Sequence, residues 1–283
     1  MATLRFAKLH GTANDFVYVD AREGFPGDPA ALAPRLCDRR RGIGADGLIL
    51  LERASSDDAD CRMVIYNADG SRPEMCGNGI RGLAKFVHDH GLVHADPLRV
   101  ETDAGVRTIH AEVRNGRVAR VTVDMGVPEW RGRAIPVASD GEVVDRPLDV
   151  AGKGYRVTCV SMGNPHCVVF VDDVDRLPLA DIGPRFEHDP FFPRRVNTEF
   201  VQVLSPERVR MRVWERGAGE TMACGTGACA AAVSAARTGR TGRSVVVALP
   251  GGELEINWRA DDRVLMTGDA VEVLEGRVEV DAC

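Results

Sequence analysis

The chain has 283 residues, of which 44% are hydrophobic and 28% charged, and its formal net charge at pH 7 is −6. This composition supplies enough apolar sequence for one large core or two medium ones. The charges are spread along the chain without a basic domain, and the run Arg39–Arg40–Arg41 is interpreted as a solvated helix end, so a nucleic-acid partner is not expected.

Membrane association and a metal centre are also disfavoured by the sequence. No segment approaches the roughly 18–20 consecutive apolar residues that a membrane span needs. The N-terminal stretch MATLRFAKLH alternates like a strand and lacks the apolar core of a signal peptide. The eight cysteines include no C-x-x-C pair. We therefore expect a cytoplasmic protein with free thiols and no zinc or iron–sulfur centre.

Most of the chain is predicted to form strands. In the first half, short β-branched or alternating runs occur at LRFAKLH, DFVYVD, GLILL and CRMVIY, and EVRNGRVARVTV carries the hairpin signal Asn115–Gly116. The second half contains YRVTCVSM, HCVVFVDD, TEFVQVL, VRMRVWE, SVVVAL, ELEINW, RVLMTG and AVEVLEGRVEV. Because few helices separate these strands, a parallel βαβ sheet is not expected.

Two helices are predicted, and each follows a cysteine. After Cys76, apolar residues recur at helical spacing up to a stop near Gly91, at Ile80, Leu83, Ala84 and Val87. After Cys224, the segment GTGACAAAVSAARTG is dominated by alanine and stops at Gly239. A helix with such small, apolar side chains is expected to be buried, with strands wrapped closely around it.

The two helices share a preamble, which indicates an internal repeat. NADGSRPEMCGNG surrounds Cys76 and ERGAGETMACGTG surrounds Cys224, 148 residues later, and NDFVYVD has a weaker echo in NPHCVVFVDD. Asn67 and Glu215 each lie nine residues before their cysteine. This repeat predicts two similar domains, each presenting a cysteine at a helix N-terminus. We place them at 1–127 and 128–271, with the strand near 272–283 as a candidate to complete the first.

A cysteine at a helix N-terminus has particular chemistry. The helix end carries about half a positive charge and free N–H groups, so the thiol is expected to be more acidic than a free thiol, whose pKa is about 8.5. The glycines that follow let backbone amides approach and bind a carboxylate. With two such sites, one thiolate can remove the α-proton of an amino acid while the other thiol protonates the opposite face. Cys76 and Cys224 are therefore the predicted acid–base pair, acting without metal or pyridoxal.

Longer motifs surround these cysteines: LHGTANDFVYVD, RRGIGADGLILL, YNADGSRPEMCGNGIRG, SMGNPHCV, RVNTEF and ERGAGETMACGTGACAAAV. Through them the chain resembles the diaminopimelate epimerase family over nearly its full length. The resemblance implies an α+β fold of two similar domains related by a pseudo-two-fold duplication, each an antiparallel β-barrel around a central helix, with the site in the cleft between them. It also implies cofactor-independent interconversion of LL-2,6-diaminopimelate and the meso isomer, in lysine and peptidoglycan synthesis, by a homodimer.

The family's site residues map onto matching positions of this chain. The resemblance assigns the proton on the L face to Cys76 and that on the opposite face to Cys224. It assigns the reacting carboxylate to the amides of Gly77, Asn78, Gly225 and Thr226. The other implied substrate-binding residues are Asn14, Asn67, Asn164, Asn197, Glu215 and Arg216. His166 and Glu215 are the implied modulators of the thiols.

Two of these positions bear on the substrate. Arg216 suits a distal carboxylate, because a guanidinium can bind it through two parallel N–H bonds. Gly47 is a departure, since some family members have glutamine there. We expect that contact to be absent or made by the backbone.

Two alternative functions remain open at this point. One is another two-thiol amino-acid racemase or epimerase, such as one resembling proline racemase, although Arg216 favours a substrate with a second carboxylate. The other is a thiol redox or small-molecule-binding protein in which Cys76 and Cys224 form a reversible disulfide. The glycine-rich anion sites are superfluous for that role.

Several residues have plain structural interpretations. Taken alone, Asn67 is interpreted as a turn residue and His166 as a structural histidine. No catalytic role is assigned to Asp15, Asp46, Asp69, Gly70, Glu74 or Glu220. The remaining cysteines are interpreted as structural thiols: Cys37, Cys61, Cys159, Cys167, Cys229 and Cys283.

Overall fold

The computed structural model describes residues 2–280. The strands are β1 Ala2–Gly11, β2 Asn14–Asp20, β3 Gly47–Glu52, β4 Cys61–Asn67, β5 Leu98–Thr102, β6 Gly105–Arg114, β7 Arg117–Asp124, β8 Arg146–Val150, β9 Lys153–Ser161, β10 Pro165–Phe170, β11 Asn197–Ser205, β12 Arg208–Glu215, β13 Gly219–Thr221, β14 Ser244–Leu249, β15 Gly252–Trp258, β16 Val264–Asp269 and β17 Val271–Val280. The helices are α1 Pro29–Cys37, α2 Gly77–Asp89, α3 Leu179–Glu187 and α4 Gly225–Arg237. Every run predicted as a strand lies in or overlaps one of these strands.

The described residues divide into two compact units, and the first contains both the beginning and the end of the described range. It takes the chain up to Val123 together with its return from Gly268 onward, whereas the second is Asp124–Thr267. In the first unit β17, β1 and β2 pair antiparallel, and β2 pairs parallel with β3. β3 and β4 are antiparallel, β4 and β5 parallel, and β5, β6 and β7 antiparallel. Helix α2 packs against β1, β2, β3, β6 and β17, so these strands surround it.

The second unit repeats this order. β8, β9 and β10 pair antiparallel, β10 and β11 parallel, β11 and β12 antiparallel, β12 and β14 parallel, and β14, β15 and β16 antiparallel. Helix α4 packs against β9, β10, β11, β12, β14 and β15. Strand β8 pairs with β9 as β17 pairs with β1. The prediction of two similar domains, each with strands around a central helix, is confirmed.

The sheets differ from the prediction in one respect: they are mixed, whereas wholly antiparallel barrels were expected. Parallel pairing needs a long crossover connection, and each parallel pair here is bridged by a helix: α1 or α2 in the first unit, α3 or α4 in the second. Helices α1 and α3 were not predicted from the sequence. Each spans nine residues and contains an internal proline, Pro34 or Pro184, which is unfavourable within a helix.

The two central helices begin and end where the sequence predicted. Cys76 is the N-cap residue of α2 and Cys224 that of α4. Just beyond the helices, Gly91 and Gly239 have φ angles of +64° and +69°, the left-handed conformation in which glycine ends a helix. Helix α4 buries mainly alanine, and such short side chains let the surrounding backbone approach closely.

No helix between residues 2 and 280 combines the length and apolar character needed to cross a membrane. The cysteines of this part of the chain are free thiols: Cys37, Cys61, Cys76, Cys159, Cys167, Cys224 and Cys229. Cys283 lies outside the described residues.

Candidate functional site

Cys76 joins an extended segment to the N-terminus of α2. Its φ and ψ are −135° and 119°, and its Sγ accepts a hydrogen bond from the backbone N–H of Gly79 at 3.4 Å. The first intrahelical bond runs from the N–H of Ile80 to the carbonyl of Cys76 at 2.9 Å. The N–H groups of Gly77 and Asn78 therefore have no acceptor within the helix. Together with the helix dipole, they are suited to bind a carboxylate next to the thiol.

Asn14 fixes the polar surroundings of the Cys76 thiol. Its Oδ1 lies 3.7 Å from the Cys76 Sγ and accepts a hydrogen bond from Asn78 Nδ2 at 3.2 Å. Its Nδ2 donates to the Asp46 carboxylate at 2.7 Å. The Asn14 oxygen is thus held towards the sulfur, because the carboxylate determines which way the amide points.

Arg81 holds this arrangement from inside the unit. Its side chain is completely buried, and its guanidinium donates to the Asn78 Oδ1 at 3.1 Å and to the Gly77 carbonyl at 3.2 Å. It also donates to the Thr12 hydroxyl at 3.3 Å and to the Asp269 carbonyl at 3.2 Å. A buried positive charge therefore lies one helical turn from the amides that are suited to bind a carboxylate.

Asn67 and Gly47 are Cα partners on β4 and β3. Asn67 Nδ2 donates to the Ser71 hydroxyl at 2.9 Å, and its carbonyl accepts from the Gly70 N–H at 2.9 Å, so Asn67 does begin a turn. A Cβ added at Gly47 would lie 2.5 Å from the Tyr66 carbonyl. A glutamine could not occupy position 47 on this backbone without a shift of the strand.

Cys224 is more enclosed than Cys76, with 6% of its surface exposed. The Thr226 hydroxyl lies 3.6 Å from its Sγ. Burial raises the pKa of the Cys224 thiol well above its usual value, and the negative charges of Glu215 and Glu199 raise it further, while the Thr226 hydroxyl and the Gly227 N–H act in the opposite direction. The expectation of a more acidic thiol is wrong for Cys224, because burial and two carboxylates outweigh the helix end. These effects favour the protonated form of the Cys224 thiol, which is the form that can donate a proton.

His166 and Glu199 form a buried pair beside Cys224. Both side chains are completely buried on the neighbouring parallel strands β10 and β11. His166 Nδ1 lies 2.7 Å from Glu199 Oε1, and its Nε2 lies 2.8 Å from Asn164 Oδ1. Burial raises the pKa of Glu199 to about 7, the charge of Glu215 raises it as well, and His166 opposes them. A carboxyl group, an imidazole and a partly exposed amide therefore form one hydrogen-bonded chain.

Asn197, Glu215 and Arg216 lie together at the ends of β11 and β12. Asn197 Nδ2 donates to the Pro165 carbonyl and its Oδ1 accepts from the Arg216 N–H, both at 2.9 Å, so its amide groups already bind backbone. The exposed Arg216 side chain donates to the Arg194 carbonyl at 3.2 Å. Glu215 Oε1 accepts from the Thr221 hydroxyl at 2.5 Å. Asn197 thus orients the backbone of Arg216, and the guanidinium remains accessible.

Sequence reasoning missed Arg81 and Glu199. Glu199 had a signal, because it lies two residues after Asn197 on β11 and side chains two apart share a face of a strand. Arg81 is in the helix that was predicted, but a charged residue there suggests a solvated face, and its burial follows from tertiary packing. Gly227 was also passed over: a Cβ there would lie 2.8 Å from Glu199 Oε1 and 3.2 Å from the Cys224 Sγ.

Comparison with known proteins gives a consistent result. The family model described as "Diaminopimelate epimerase" matches residues 6–131 and 158–273. A protein of that name from Moorella thermoacetica is 56% identical over 281 residues, covering 98% of this chain and 100% of the relative. One from Synechocystis is 54% identical, covering 98% and 99%, and one from Desulfitobacterium hafniense is 50% identical, covering 99% of each.

Solved structures show the same fold at low sequence identity. A probable proline racemase from Agrobacterium radiobacter has a TM-score of 0.72 at 17% identity, covering 98% of this chain and 93% of that one. A phenazine biosynthesis protein of the PhzF family from Bacillus anthracis has a TM-score of 0.71 at 18% identity, covering 99% and 100%. At this identity the likeness concerns the fold alone.

Proposed function

The chain belongs to the diaminopimelate epimerase family, and from that premise we propose that it interconverts LL-2,6-diaminopimelate and the meso isomer. The proposal rests on an arrangement that is found once in each unit. A free cysteine caps a helix in each unit, and the backbone amides after it are suited to bind a carboxylate. Inversion of an α-carbon by two bases needs one acid–base group for each face of that carbon.

The proposed reaction uses the two thiols as acid and base. In one direction the Cys76 thiolate removes the α-proton, and the Cys224 thiol gives its proton to the opposite face of the carbanion. The Cys224 sulfur takes the charge that Cys76 has lost, so charge and protons balance, and the reverse direction exchanges the roles. The raised pKa of the Cys224 thiol supports its part as donor. This chemistry calls for neither a metal nor pyridoxal.

The amides of Gly77, Asn78, Gly225 and Thr226 are the proposed ligands of the reacting carboxylate. As the α-proton leaves, negative charge grows on that carboxylate, and fixed N–H dipoles stabilise it without rearranging. Arg81 adds a buried positive charge near the first pair of amides. This stabilisation of the developing negative charge is needed, because the α-proton of an amino acid is only weakly acidic.

The other polar residues are proposed to hold the rest of the substrate. Arg216 is exposed and can bind the distal carboxylate through two N–H bonds. Asn67 and Asn164 each have one amide atom engaged within the protein, which leaves the other for the substrate. Asn14 and Asn197 act behind them by orienting Cys76 and Arg216. His166 and Glu215 modulate the Cys224 thiol.

We also propose that the protein works in the cytoplasm as a homodimer. The free cysteines support a reducing compartment, because two thiols must remain reduced for this chemistry. The dimer rests on the family resemblance.

The proposal is tested by incubating LL- and meso-diaminopimelate with the protein in D₂O and reductant. We expect interconversion, followed by chiral chromatography, with deuterium appearing at the α-carbon. A redox or binding protein would give no deuterium. A proline-specific racemase would act on proline and leave diaminopimelate unchanged, so either result rejects the proposed activity.

The roles of the thiols are tested by Cys76→Ala and Cys224→Ala. Each is expected to lower kcat for epimerisation by about 10²- to 10⁴-fold, the usual contribution of a general acid or base. Cys37→Ala is the matched control, because Cys37 is a buried thiol at the end of α1 with no part in the mechanism. Normal epimerisation by either variant of a catalytic cysteine would exclude the two-thiol mechanism.

A further inference from the structure

The hydrogen-bonded chain Glu199–His166–Asn164 contains more acceptors than a neutral imidazole can serve. Both ring nitrogens of His166 face oxygen, Glu199 Oε1 at 2.7 Å and Asn164 Oδ1 at 2.8 Å. A neutral imidazole carries one N–H. The chain therefore needs a second proton, located either on the ring or on the carboxyl group. In both arrangements the pair has no net charge, as complete burial favours.

The surroundings of the Glu199 carboxyl group also indicate that the His166–Glu199 pair holds a second proton. Among the residues that the structure describes, none donates a hydrogen bond to its buried Oε2. A carboxylate left with an unpaired charged oxygen in the interior is costly, whereas the carbonyl-like oxygen of a protonated carboxyl group costs less. The shared proton thus stabilises Glu199 where it lies.

Loss of the second proton would change the preferred orientation of the Asn164 amide. A single remaining proton would stay between Nδ1 and the Glu199 carboxylate, and the bare Nε2 would then face Asn164 Oδ1, two acceptors at 2.8 Å. Turning the amide over would relieve the repulsion by offering its NH₂ group to Nε2. The NH₂ group has no acceptor among the described residues in the present arrangement and Asn164 is partly exposed. In the turned arrangement the NH₂ group would donate to His166 Nε2, and the amide oxygen of Asn164 would face outward.

We propose that Glu199 is a positioning residue that, through the proton it shares with His166, keeps the Asn164 amide turned so that its NH₂ group can bind a substrate carboxylate. This inference rests on the proposed function, since it takes Asn164 as a substrate-binding residue. Glu199 acts through its two neighbours and touches no substrate atom. The hydrogen bonds from Glu199 through His166 determine which side of the Asn164 amide faces outward. A carboxylate is bound by the NH₂ side and repelled by the carbonyl oxygen.

A pH dependence follows from the surroundings of Glu199. It faces His166 from β10, Glu215 from β12 and the Cys224 thiol at the start of α4. Burial and Glu215 raise its pKa to about 7, so the second proton is held below that pH and lost above it. The affinity for the carboxylate substrate should therefore be full at mildly acid pH and fall as pH rises through about 7.

The test compares KM for diaminopimelate at about pH 6 and about pH 8.5. For the wild-type enzyme we expect KM to rise about tenfold, the effect of losing a hydrogen bond to a charged group. In Glu199→Gln the ratio should fall below about twofold, because glutamine does not ionise and can donate to Nδ1 while Nε2–H still faces Asn164. Asn164→Ala should also abolish the ratio. Asp89→Asn is the control, because it neutralises a buried carboxylate at the far end of α2, and it should keep the wild-type ratio.

Two results would overturn the proposal: a wild-type ratio that survives in Glu199→Gln, or one that survives in Asn164→Ala. A second measurement is independent of turnover. In ¹⁵N-histidine-labelled enzyme, the ¹⁵N shift of His166 Nε2 should identify it as an N–H donor while Glu199 keeps the shared proton, and it should change when Glu199 loses that proton near pH 7. In Glu199→Gln the Nε2 shift should show an N–H donor on both sides of this pH. An Nε2 that is bare at about pH 6 rejects the proposal even if the protein proves to have another substrate, and absence of epimerase activity alone rejects only the proposed function.

Discussion

Gly227 lies where the Cys224 thiol and the Glu199 carboxyl group approach the same helical turn. A Cβ at this position would lie 2.8 Å from Glu199 Oε1 and 3.2 Å from Cys224 Sγ. Glu199 cannot move aside freely, because its Oε1 is bonded to His166. Gly227→Ala should therefore displace the carboxyl group or the sulfur, and we expect kcat to fall at least about tenfold, which corresponds to about 1.4 kcal/mol in the barrier.

Stability measurements separate this effect from unfolding. Alanine is favoured over glycine in a helix by about 1 kcal/mol, which offsets part of the strain, so the melting temperature of Gly227→Ala should change much less than its activity. Gly154→Ala is the matched control: no described atom would lie within 4 Å of a Cβ on Gly154 of β9, and its activity should match the wild type. Full activity of Gly227→Ala would show that the helical turn accommodates a Cβ without displacing Glu199 or Cys224.

At the level of elements, Arg81 links helix α2 to the chain after β1 and to the end of β16. Its guanidinium binds Thr12, Asp269, Gly77 and Asn78 from a fully buried position. Arg81→Met keeps the apolar stem and removes the donors. Because each buried acceptor left unpaired costs about 1–3 kcal/mol, we expect the free energy of unfolding in urea to fall by about 3 kcal/mol or more. KM should rise too, since Asn78 loses a support.

Arg133→Met provides the comparison for Arg81→Met. The Arg133 side chain is 78% exposed, and its ion pair with the 83% exposed Asp140 is fully solvated, so its loss should leave the urea midpoint close to that of the wild type. If Arg81→Met unfolds at the wild-type midpoint as well, the buried guanidinium is not what secures the start of α2.

Local sequence signals predicted the elements that carry the thiols, but not the raised pKa of Cys224. The N-caps at Cys76 and Cys224 and the glycine stops at Gly91 and Gly239 are properties of short segments. The pKa of Cys224 is raised first by burial and then by the charges of Glu215 and Glu199, and Glu199 lies 25 residues away in the chain. Helices α1 and α3, with their internal prolines, had no clear signal, and the parallel pairs that they bridge could not be predicted without them.

At the level of the whole molecule, the repeat seen in the motifs extends to seven strand pairings in each unit, and the short strand β13, which pairs antiparallel with β12, has no counterpart among the described strands of the first unit. Even the edge strand recurs, although β17 comes from the end of the chain and β8 precedes the second repeat directly. The repeat of motifs revealed the duplication because both cysteine turns retain the pattern Cys-Gly-x-Gly. The motifs could not fix the domain limits, because no motif lies at the two positions where the chain passes from one unit to the other. The sequence-based limits at 127 and 271 stay a prediction, while compactness divides the chain at Val123 and Thr267.

That division predicts how the first unit can be made to fold alone. Strand β17 pairs with β1 from Val280 at Ala2 to Val271 at His10, so a fragment of residues 1–123 lacks the partner of its first strand and leaves a long unpaired edge. We expect this fragment to aggregate or to give a poorly dispersed amide NMR spectrum. Because Ala2 and Val280 are paired, a turn of about two to four residues can join them. The permuted polypeptide, with 268–280 placed ahead of 2–123, should give a dispersed spectrum and a cooperative urea transition. A well-folded 1–123 fragment would show instead that β17 is dispensable and that the first unit ends before the chain returns.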